Sequence, residues 1–147
     1  MEELSRFHTL KGYEMQNHVK ITPSMEDYLE MICRMSRHQN YVRINELAGH
    51  LNVKPSSASK MVQNLRELKL VDFQKYGYIS PTPEGRDLGE YMLYRHDVLL
   101  SFLCLLNGTQ NELEQVEKIE HFIDKRTINN LQKLTLWLKQ GQAWNPN

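Results

Sequence analysis

The chain has 147 residues, of which 40% are hydrophobic and 24% are charged. That length and composition indicate an ordinary soluble globular protein with one domain or two small ones. The formal net charge of zero by itself argues against a nucleic-acid binder.

Three sequence features argue against a membrane or secreted protein. The longest apolar run, from Val98 to Leu106, contains Ser101 and is too short to span a bilayer. No apolar stretch follows the acidic start at residues 1–3, which argues against a secretory signal. Cys33 and Cys104 lie inside apolar helical patterns, as expected of free buried thiols in a reducing cytoplasm. We therefore expect a cytoplasmic protein with no membrane partner.

The charges are distributed unevenly along the chain. Residues 54–75 contain five basic and two acidic residues, whereas residues 107–124 contain five acidic residues and one lysine. The first segment is suited to face phosphates and the second to face cations.

Residues 1–21 show no clear period and are predicted to form a mobile N-terminal arm. A helix is then predicted from Thr22-Pro23, with Thr22 as its cap. Its early turns carry Asp27 and Glu30, three residues apart and therefore neighbours on one face. Acidic residues are common in the first turn of any helix, so this pair alone does not establish a site.

A helix-turn-helix is predicted next. The first helix covers about residues 45–51, and the second runs from Pro55 to about Leu68, with Ser56 and Ser57 as capping residues. An αα-hairpin without a role in DNA binding has the same pattern. The following strands, residues 70–75 and 78–80, form a hairpin that favours a winged helix.

Three helices are predicted after the hairpin. A long helix capped by Thr82 extends to about Gly108, and two shorter ones cover about residues 110–123 and 127–139. The second carries Glu117, Glu120 and His121 at i, i+3 and i+4, on one face of one helix. Such a triplet can bind one metal ion or a pair of ions, and His96 is a further candidate ligand. The remaining histidines, His8, His18, His38 and His50, are interpreted as surface residues.

Four separated segments, in this order, resemble the diphtheria-toxin-repressor family, and most nearly its manganese-responsive branch. They are Thr22-Pro23-Ser24-Met25-Glu26-Asp27-Tyr28-Leu29-Glu30, Lys54-Pro55-Ser56-Ser57-Ala58-Ser59-Lys60-Met61-Val62, Tyr94-Arg95-His96 and Val116-Glu117-Lys118-Ile119-Glu120-His121. The resemblance covers about residues 22–138.

The resemblance implies two Mn²⁺ ions per subunit, held between the first helix and a helical dimerisation domain. The ligands that it implies are Asp27, Glu30, His96, Glu117, Glu120 and His121. The iron-sensing branch has Met in place of Asp27 and Cys in place of Glu120, and hard oxygen donors agree with manganese. Because manganese binds weakly within the divalent series, Fe²⁺, Co²⁺, Zn²⁺ and Cd²⁺ stay open as alternative metals at these residues.

The fold class implied is mainly α: an N-terminal winged helix-turn-helix with a two-stranded wing, a long linker helix and a helical dimerisation domain. The predicted divisions are an arm (1–21), a DNA-binding domain (22–82), a metal-binding and dimerisation domain (83–140) and a tail (141–147). The expected function is that of a repressor of metal-uptake genes, which binds a palindromic double-stranded operator as a homodimer when metal is bound. The predicted DNA contacts are Lys54, Pro55, Ser56, Ser57, Ser59, Lys60, Gln63, Lys75 and Tyr76.

Four rival functions stay open at this point. A carboxylate di-metal enzyme is disfavoured because Glu117-x-x-Glu120-His121 breaks the Glu-x-x-His spacing of such bundles. A winged-helix repressor that works without metal would use the acidic cluster as a dimer surface, and a regulator that responds to iron or zinc would share the ligands. A protein-interaction module that has lost DNA binding agrees poorly with the basic residues at 54–75.

Overall fold

The computed structural model describes Thr9 and residues 21–74, 77–141 and 143–146. Apart from Thr9 and Ile21, the predicted N-terminal arm lies outside the described residues, as do Lys75 and Tyr76. The elements in chain order are α1 (Pro23–Ser36), β1 (Val42–Arg43), α2 (Ile44–Leu51), α3 (Pro55–Glu67), β2 (Val71–Phe73), β3 (Tyr78–Pro81), α4 (Pro83–Asn107), α5 (Leu113–Ile119), a 3₁₀ turn (Glu120–Phe122) and α6 (Lys125–Lys139).

The elements α1 to β3 form a winged helix-turn-helix, which we call the winged-helix unit. Its antiparallel sheet has the strand order β1-β3-β2, so the predicted two-stranded wing is joined by a third short strand that pairs Val42 with Ile79. The core beneath the sheet contains side chains with no exposed surface, including Leu29, Ile32 and Leu65. Burial of these apolar groups, at ~25 cal/mol per Å², is the main force that holds the unit together.

The start of α3 differs from the prediction. Lys54 occupies the cap position, and no side chain of the described residues caps this helix, so the expected serine cap was wrong. Lysine offers no acceptor for the free N–H groups of the first turn. Pro55 at the first position removes one of these donors, as predicted. By contrast, Thr22 caps α1 by accepting a hydrogen bond from the Met25 N–H at 3.2 Å.

Helix α4 connects the winged-helix unit to a helical unit formed by α4, α5, the 3₁₀ turn and α6. Its 25 residues extend roughly 37 Å at ~1.5 Å per residue. Met92 packs in the core of the winged-helix unit, whereas Val98, Leu99 and Leu103 pack in a second core. The described part of the chain has no helix long and apolar enough to cross a membrane.

Helix α4 also packs closely on the two elements beside it. Thr82 caps it by accepting from the Gly85 N–H at 3.1 Å, and the Thr82 hydroxyl donates to the Lys69 carbonyl at 2.7 Å. A Cβ at Gly85 would clash with the Leu70 carbonyl, and a Cβ at Gly89 would clash with the Cys33 thiol on α1. Both glycines therefore permit close approach.

The helix predicted at about 110–123 is shorter than expected. Helix α5 ends at Ile119, and Glu120, His121 and Phe122 form a 3₁₀ turn. The expectation that Glu117, Glu120 and His121 share one face of a single α-helix was therefore wrong in part. Glu117 belongs to α5, whereas Glu120 and His121 belong to the tighter 3₁₀ turn, with about 3.0 residues per turn.

Helix α6 begins at Lys125, two residues earlier than predicted, because Asp124 caps it. The Asp124 carboxylate accepts from the Thr127 N–H at 2.7 Å. In the tail, the Trp144 indole donates to the Leu106 carbonyl at 3.1 Å, so residues after α6 return to the end of α4.

Candidate metal centre and nucleic-acid interface

A cavity of about 460 Å³ opens where the winged-helix unit meets the helical unit. Of the predicted metal ligands, those that line it are Asp27, Glu30, His96, Glu117 and Glu120. The remaining one, His121, lies beside them, with its Nε2 atom 3.0 Å from Oδ1 of Asp27. The structure thus brings the predicted ligands together from α1, α4, α5 and the 3₁₀ turn.

Within this set, two groups of donors are compact enough to hold a cation. The first donor group is Asp27, Glu120 and His121, and the second donor group is Glu30, His96 and Glu120. In each group, one ligand atom per residue lies within 4.8 Å of the others. Glu120 belongs to both groups and its side chain is almost fully buried, so its two oxygens can serve two neighbouring positions.

Glu117 is placed differently from the other predicted ligands. It lines the cavity but is exposed, and it belongs to neither donor group. Helix α5 ends two residues later, so the orientation of this side chain depends on α5 and not on the 3₁₀ turn. A carboxylate at the rim of the cavity remains within the candidate site.

The second donor group contains a buried carboxylate–histidine contact. Nδ1 of His96 lies 2.9 Å from Oε2 of Glu120 and 3.9 Å from Oε1 of Glu30. The hydrogen bond to Glu120 raises the pKa of His96. Burial, followed by repulsion from Glu120, raises the pKa of Glu30. Both shifts reduce the net negative charge that the cluster must hold without a cation.

In the first donor group, His121 lies between two carboxylates of α1. Its Nε2 atom contacts Asp27, and its Nδ1 atom lies 3.2 Å from Oε1 of Glu26. These hydrogen bonds, to Asp27 first and then to Glu26, raise the pKa of His121 to about 9. At neutral pH the imidazole therefore carries a positive charge between two carboxylates.

Four residues around the cavity were not identified from the sequence. Glu26 holds His121, and Arg95 contacts Glu26 with its Nη1 atom 3.3 Å from Oε2. Arg34 contacts Glu30 at 3.3 Å, and His50, predicted to be a simple surface residue, is exposed but lines the cavity. Glu26 and Arg95 lie inside the segments that carry the family resemblance, each next to a predicted ligand in the sequence, so this adjacency could have identified them. His50 is distant in sequence and gave none.

The donors present suit a hard divalent cation. Carboxylate oxygens with some imidazole nitrogen match manganese and its neighbours better than soft ions. Burial raises the pKa of Cys33 to about 11, so this thiol does not supply a thiolate. A buried carboxylate such as Glu120 is unfavourable unless a positive charge is close, and a cation bound at the donor groups would provide that charge. The residues therefore fit a cation at each donor group.

Of the predicted DNA-contacting residues, those at positions 54–63 lie at the start of α3 and along its outer side. Lys54, Pro55, Ser56, Ser57, Lys60 and Gln63 are exposed, and Ser59 is half-buried. Ser56, Lys60 and Gln63 follow an i, i+4, i+7 pattern, which places them on one face. The opposite face, with Ala58, Val62 and Leu65, is buried in the core. This arrangement leaves the start of α3 free to enter a DNA groove.

Comparison with protein families gives two adjacent matches. The family described as "Iron dependent repressor, N-terminal DNA binding domain" matches residues 20–79. The family described as "Iron dependent repressor, metal binding and dimerisation domain" matches residues 82–140. Together these matches include α1 to α6 and the candidate metal centre.

Curated relatives agree with this assignment. The chain is 36% identical over 122 residues to the HTH-type transcriptional regulator MntR of Geobacillus kaustophilus, covering 82% of this chain and 86% of that protein. It is also 36% identical over 123 residues to the regulator of the same name from Oceanobacillus iheyensis, covering 83% and 84%.

Solved structures extend the agreement to the fold. A structure described as "Manganese-dependent transcriptional repressor complex with manganese" is 27% identical, with a TM-score of 0.64 over 77% of this chain. This chain spans about half, 53%, of that protein's length. Together with the family matches and the curated relatives, this shows that the chain belongs to the diphtheria-toxin-repressor (iron-dependent repressor) family. The members of this family are metal-dependent, DNA-binding transcriptional repressors and not enzymes.

Proposed function

We propose that the protein is a manganese-responsive repressor of metal-uptake genes, which binds a palindromic operator as a homodimer when Mn²⁺ occupies both donor groups. The observation that carries this proposal is the position of Glu120. This buried carboxylate is shared by donors from α1, in the winged-helix unit, and from α4 and the 3₁₀ turn, in the helical unit. Occupation of the site therefore joins the two units.

The choice of manganese is supported by the hard donor set and by the names of the curated relatives. Two ions per subunit are supported by the two donor groups, which share the Glu120 carboxylate. Asp27, Glu30, His96, Glu117, Glu120 and His121 form the proposed ligand set. We expect Fe²⁺, Co²⁺, Zn²⁺ and Cd²⁺ to bind the same groups in vitro, because manganese lies lowest in the divalent affinity series.

The proposed mechanism is a linkage between metal binding and inter-unit order. Bound cations would supply the positive charge that neutralises the carboxylates around Glu120. Asp27 and Glu30 then fix α1 against His96 of α4 and His121 of the 3₁₀ turn, so DNA binding requires less ordering of the two units. Such coupling is typically ~1–3 kcal/mol, or about 5–150-fold in affinity.

The same proposal includes two domains at residues 22–82 and 83–140, and a homodimer. It is supported by the two separate apolar cores and by exposed apolar side chains on the helical unit. The latter are Leu113, Phe122, Leu134, Leu136 and Trp137. Exposed apolar side chains at this density suit a surface that a second copy covers.

Lys60→Ala is expected to weaken binding to all DNA sequences and to lower the slope of log K against log salt by about 1. Lys60 is exposed on α3 and has no ion-pair partner among the described residues, so its charge is available to a phosphate. Fluorescence anisotropy across a salt series measures both quantities. Lys118→Ala, on α5, is the control and should leave the slope unchanged; an unchanged slope in Lys60→Ala would contradict this contact.

Metal binding is expected to release protons and to tighten as the pH rises from 7 to 9. The pKa of His121 is raised to about 9, and an imidazole must lose a proton to bind metal. Each proton displaced gives about a tenfold gain in affinity per pH unit in this range. Calorimetry in two buffers with different ionisation enthalpies counts the protons.

The folding stability of the protein in chelator is expected to change with pH in the opposite direction to metal affinity, decreasing as the pH rises. Since the pKa of His121 is raised on folding, its stabilising contribution is complete below about pH 6.5. It is lost as the pH increases through about 9. A metal-free protein that becomes more stable between pH 7 and 9, with metal affinity independent of pH, would contradict the placement of His121 between two carboxylates.

The experiment that tests the proposed function is fluorescence anisotropy of a labelled promoter fragment from a metal-transporter gene. Protein is titrated in chelator and then in Mn²⁺, Fe²⁺ or Zn²⁺. The proposal predicts that Mn²⁺ tightens binding at least several-fold. A larger gain with Fe²⁺ or Zn²⁺ would reassign the effector metal. Equal binding in chelator and metal would favour a repressor that works without metal.

A further inference from the structure

We propose that Glu26 and Arg95 form a positioning pair that holds the His121 ring by Nδ1, so that Nε2 faces the first donor group. This inference rests on the proposed metal site and adds two residues that do not bind the metal themselves. It is carried by contacts among α1, α4 and the 3₁₀ turn.

Glu26 is engaged at both of its carboxylate oxygens. Oε1 lies 3.2 Å from Nδ1 of His121, and Oε2 lies 3.3 Å from Nη1 of Arg95. Its side chain is only 13% exposed. A carboxylate that is occupied on both oxygens is suited to orient a neighbour and not to bind a cation itself. Glu26 is accordingly absent from both donor groups.

The His121 ring is held with its two nitrogens on different sides. Nε2 lies 3.0 Å from Oδ1 of Asp27 and 4.0 Å from Oε1 of Glu120, both in the first donor group. Nδ1 faces away from that group, toward Glu26. The hydrogen bond made by one ring nitrogen decides which nitrogen is free for a metal. A carboxylate can only accept, so Glu26 favours a proton on Nδ1, and Nε2 is the ring nitrogen that faces the first donor group.

Arg95 forms an ion pair that holds Glu26 in position. Its side chain is 6% exposed, and its guanidinium lies 5.9 Å from the centre of the Tyr91 ring. Its Nε atom has no hydrogen-bond partner among the described residues. Such a buried cation is unfavourable without a paired anion, so Arg95 and Glu26 each stabilise the charge of the other. The pair also ties α1 to α4.

The chain offers a matched control. Arg37 of the α1 end and Glu90 of α4 form a second Arg–Glu pair between the same two helices, at 2.7 Å. Both of its side chains are about half exposed, and neither lies in a donor group. Changes at Glu90 therefore test the effect of an inter-helix ion pair that lacks contact with a ligand.

The experiment measures Cd²⁺ affinity by chelator competition for wild type, Glu26→Gln, Glu26→Ala and Glu90→Gln. We expect Glu26→Ala to lose about 10- to 100-fold, as is typical for the partner of a metal-binding histidine. Glu26→Gln, which retains an acceptor oxygen for Nδ1, should lose less, and Glu90→Gln should match wild type. Equal affinities for all four proteins would overturn the positioning role.

A second readout separates positioning from general destabilisation. Nitrogen-15 NMR of labelled histidine in the Cd²⁺-loaded protein identifies the bound ring nitrogen of His121. We expect Nε2 alone in wild type and Glu90→Gln, and a mixture in Glu26→Ala. Bound Nδ1 in wild type would overturn the inference.

Folding is checked by circular dichroism in chelator. If Glu26→Ala does not fold, the double variant Glu26→Gln/Arg95→Gln, which leaves no unpaired buried charge, replaces it. We expect this double variant to lose more Cd²⁺ affinity than Glu26→Gln, because the ion pair with Arg95 no longer holds the side chain at position 26; affinity equal to that of Glu26→Gln would overturn the role of Arg95. A wild-type chain that does not bind Cd²⁺ at all would instead refute the proposed metal site, and the two failures are thus distinguishable.

Discussion

Glu120→Gln is expected to abolish the metal-dependent gain in DNA affinity and to reduce metal affinity by ~100-fold or more. This loss exceeds the about 10- to 100-fold loss that is typical for a residue that only supports a metal ligand. The reason is that Glu120 belongs to both donor groups, so one substitution removes an anionic donor from each. Glutamine preserves the size of the side chain and can still accept the hydrogen bond from Nδ1 of His96.

The measurement combines chelator competition with Mn²⁺ and anisotropy of the operator fragment. Glu114→Gln is a suitable control because Glu114 lies in α5, is exposed and pairs only with Lys118 among the described residues. It should behave as wild type. A Glu120→Gln protein that retains metal affinity within a few-fold would show that the buried carboxylate is structural and that the cations bind elsewhere.

Gly85→Ala is expected to destabilise the protein by at least about 3 kcal/mol, because overpacking against a fixed backbone cannot be relieved by a side-chain rotation. The new Cβ would clash with the carbonyl of Leu70, next to the Thr82 hydroxyl that donates to Lys69. The start of α4 would separate from the end of the helix-turn-helix. For a chain of this size, the melting temperature should decrease by roughly 6–12 °C.

Thermal and urea unfolding in chelator measure this effect without a contribution from metal. Gly49→Ala provides the matched control, since a Cβ at Gly49, in α2, would meet nothing within 4 Å. Alanine there should stabilise the protein by ~0.5–1 kcal/mol through its higher helix propensity. Equal stabilities for Gly85→Ala and wild type would mean that α4 does not pack on Leu70 in solution.

Much of the fold could be predicted from local sequence signals. Thr22-Pro23 and Thr82-Pro83 marked two helix starts that the structure confirms, with hydrogen bonds from both threonines. Gly108 marked the end of α4, where it adopts a φ of 65°. These predictions succeeded because caps and breakers act within one turn of the chain.

The predictions that failed involve competition between local and distant forces. Serines near the start of α3 suggested a cap, yet Lys54 takes the cap position because Pro55 fixes the first turn. The periodicity at 110–123 suggested one α-helix, but a 3₁₀ turn begins at Glu120, where the side chain is buried against His96. Tertiary packing overrides local propensity at such positions.

The sequence by itself determined the types and order of the candidate ligands, because the spacing of acids and histidines is written directly in the chain. Only the tertiary structure decided that Glu120 is shared by two donor groups, that Glu117 lies at the rim, and that Glu26 contacts both His121 and Arg95. Each of these depends on distances between α1, α4 and the 3₁₀ turn. Those distances are set by the packing of side chains that are far apart in the sequence, and no local pattern encodes them.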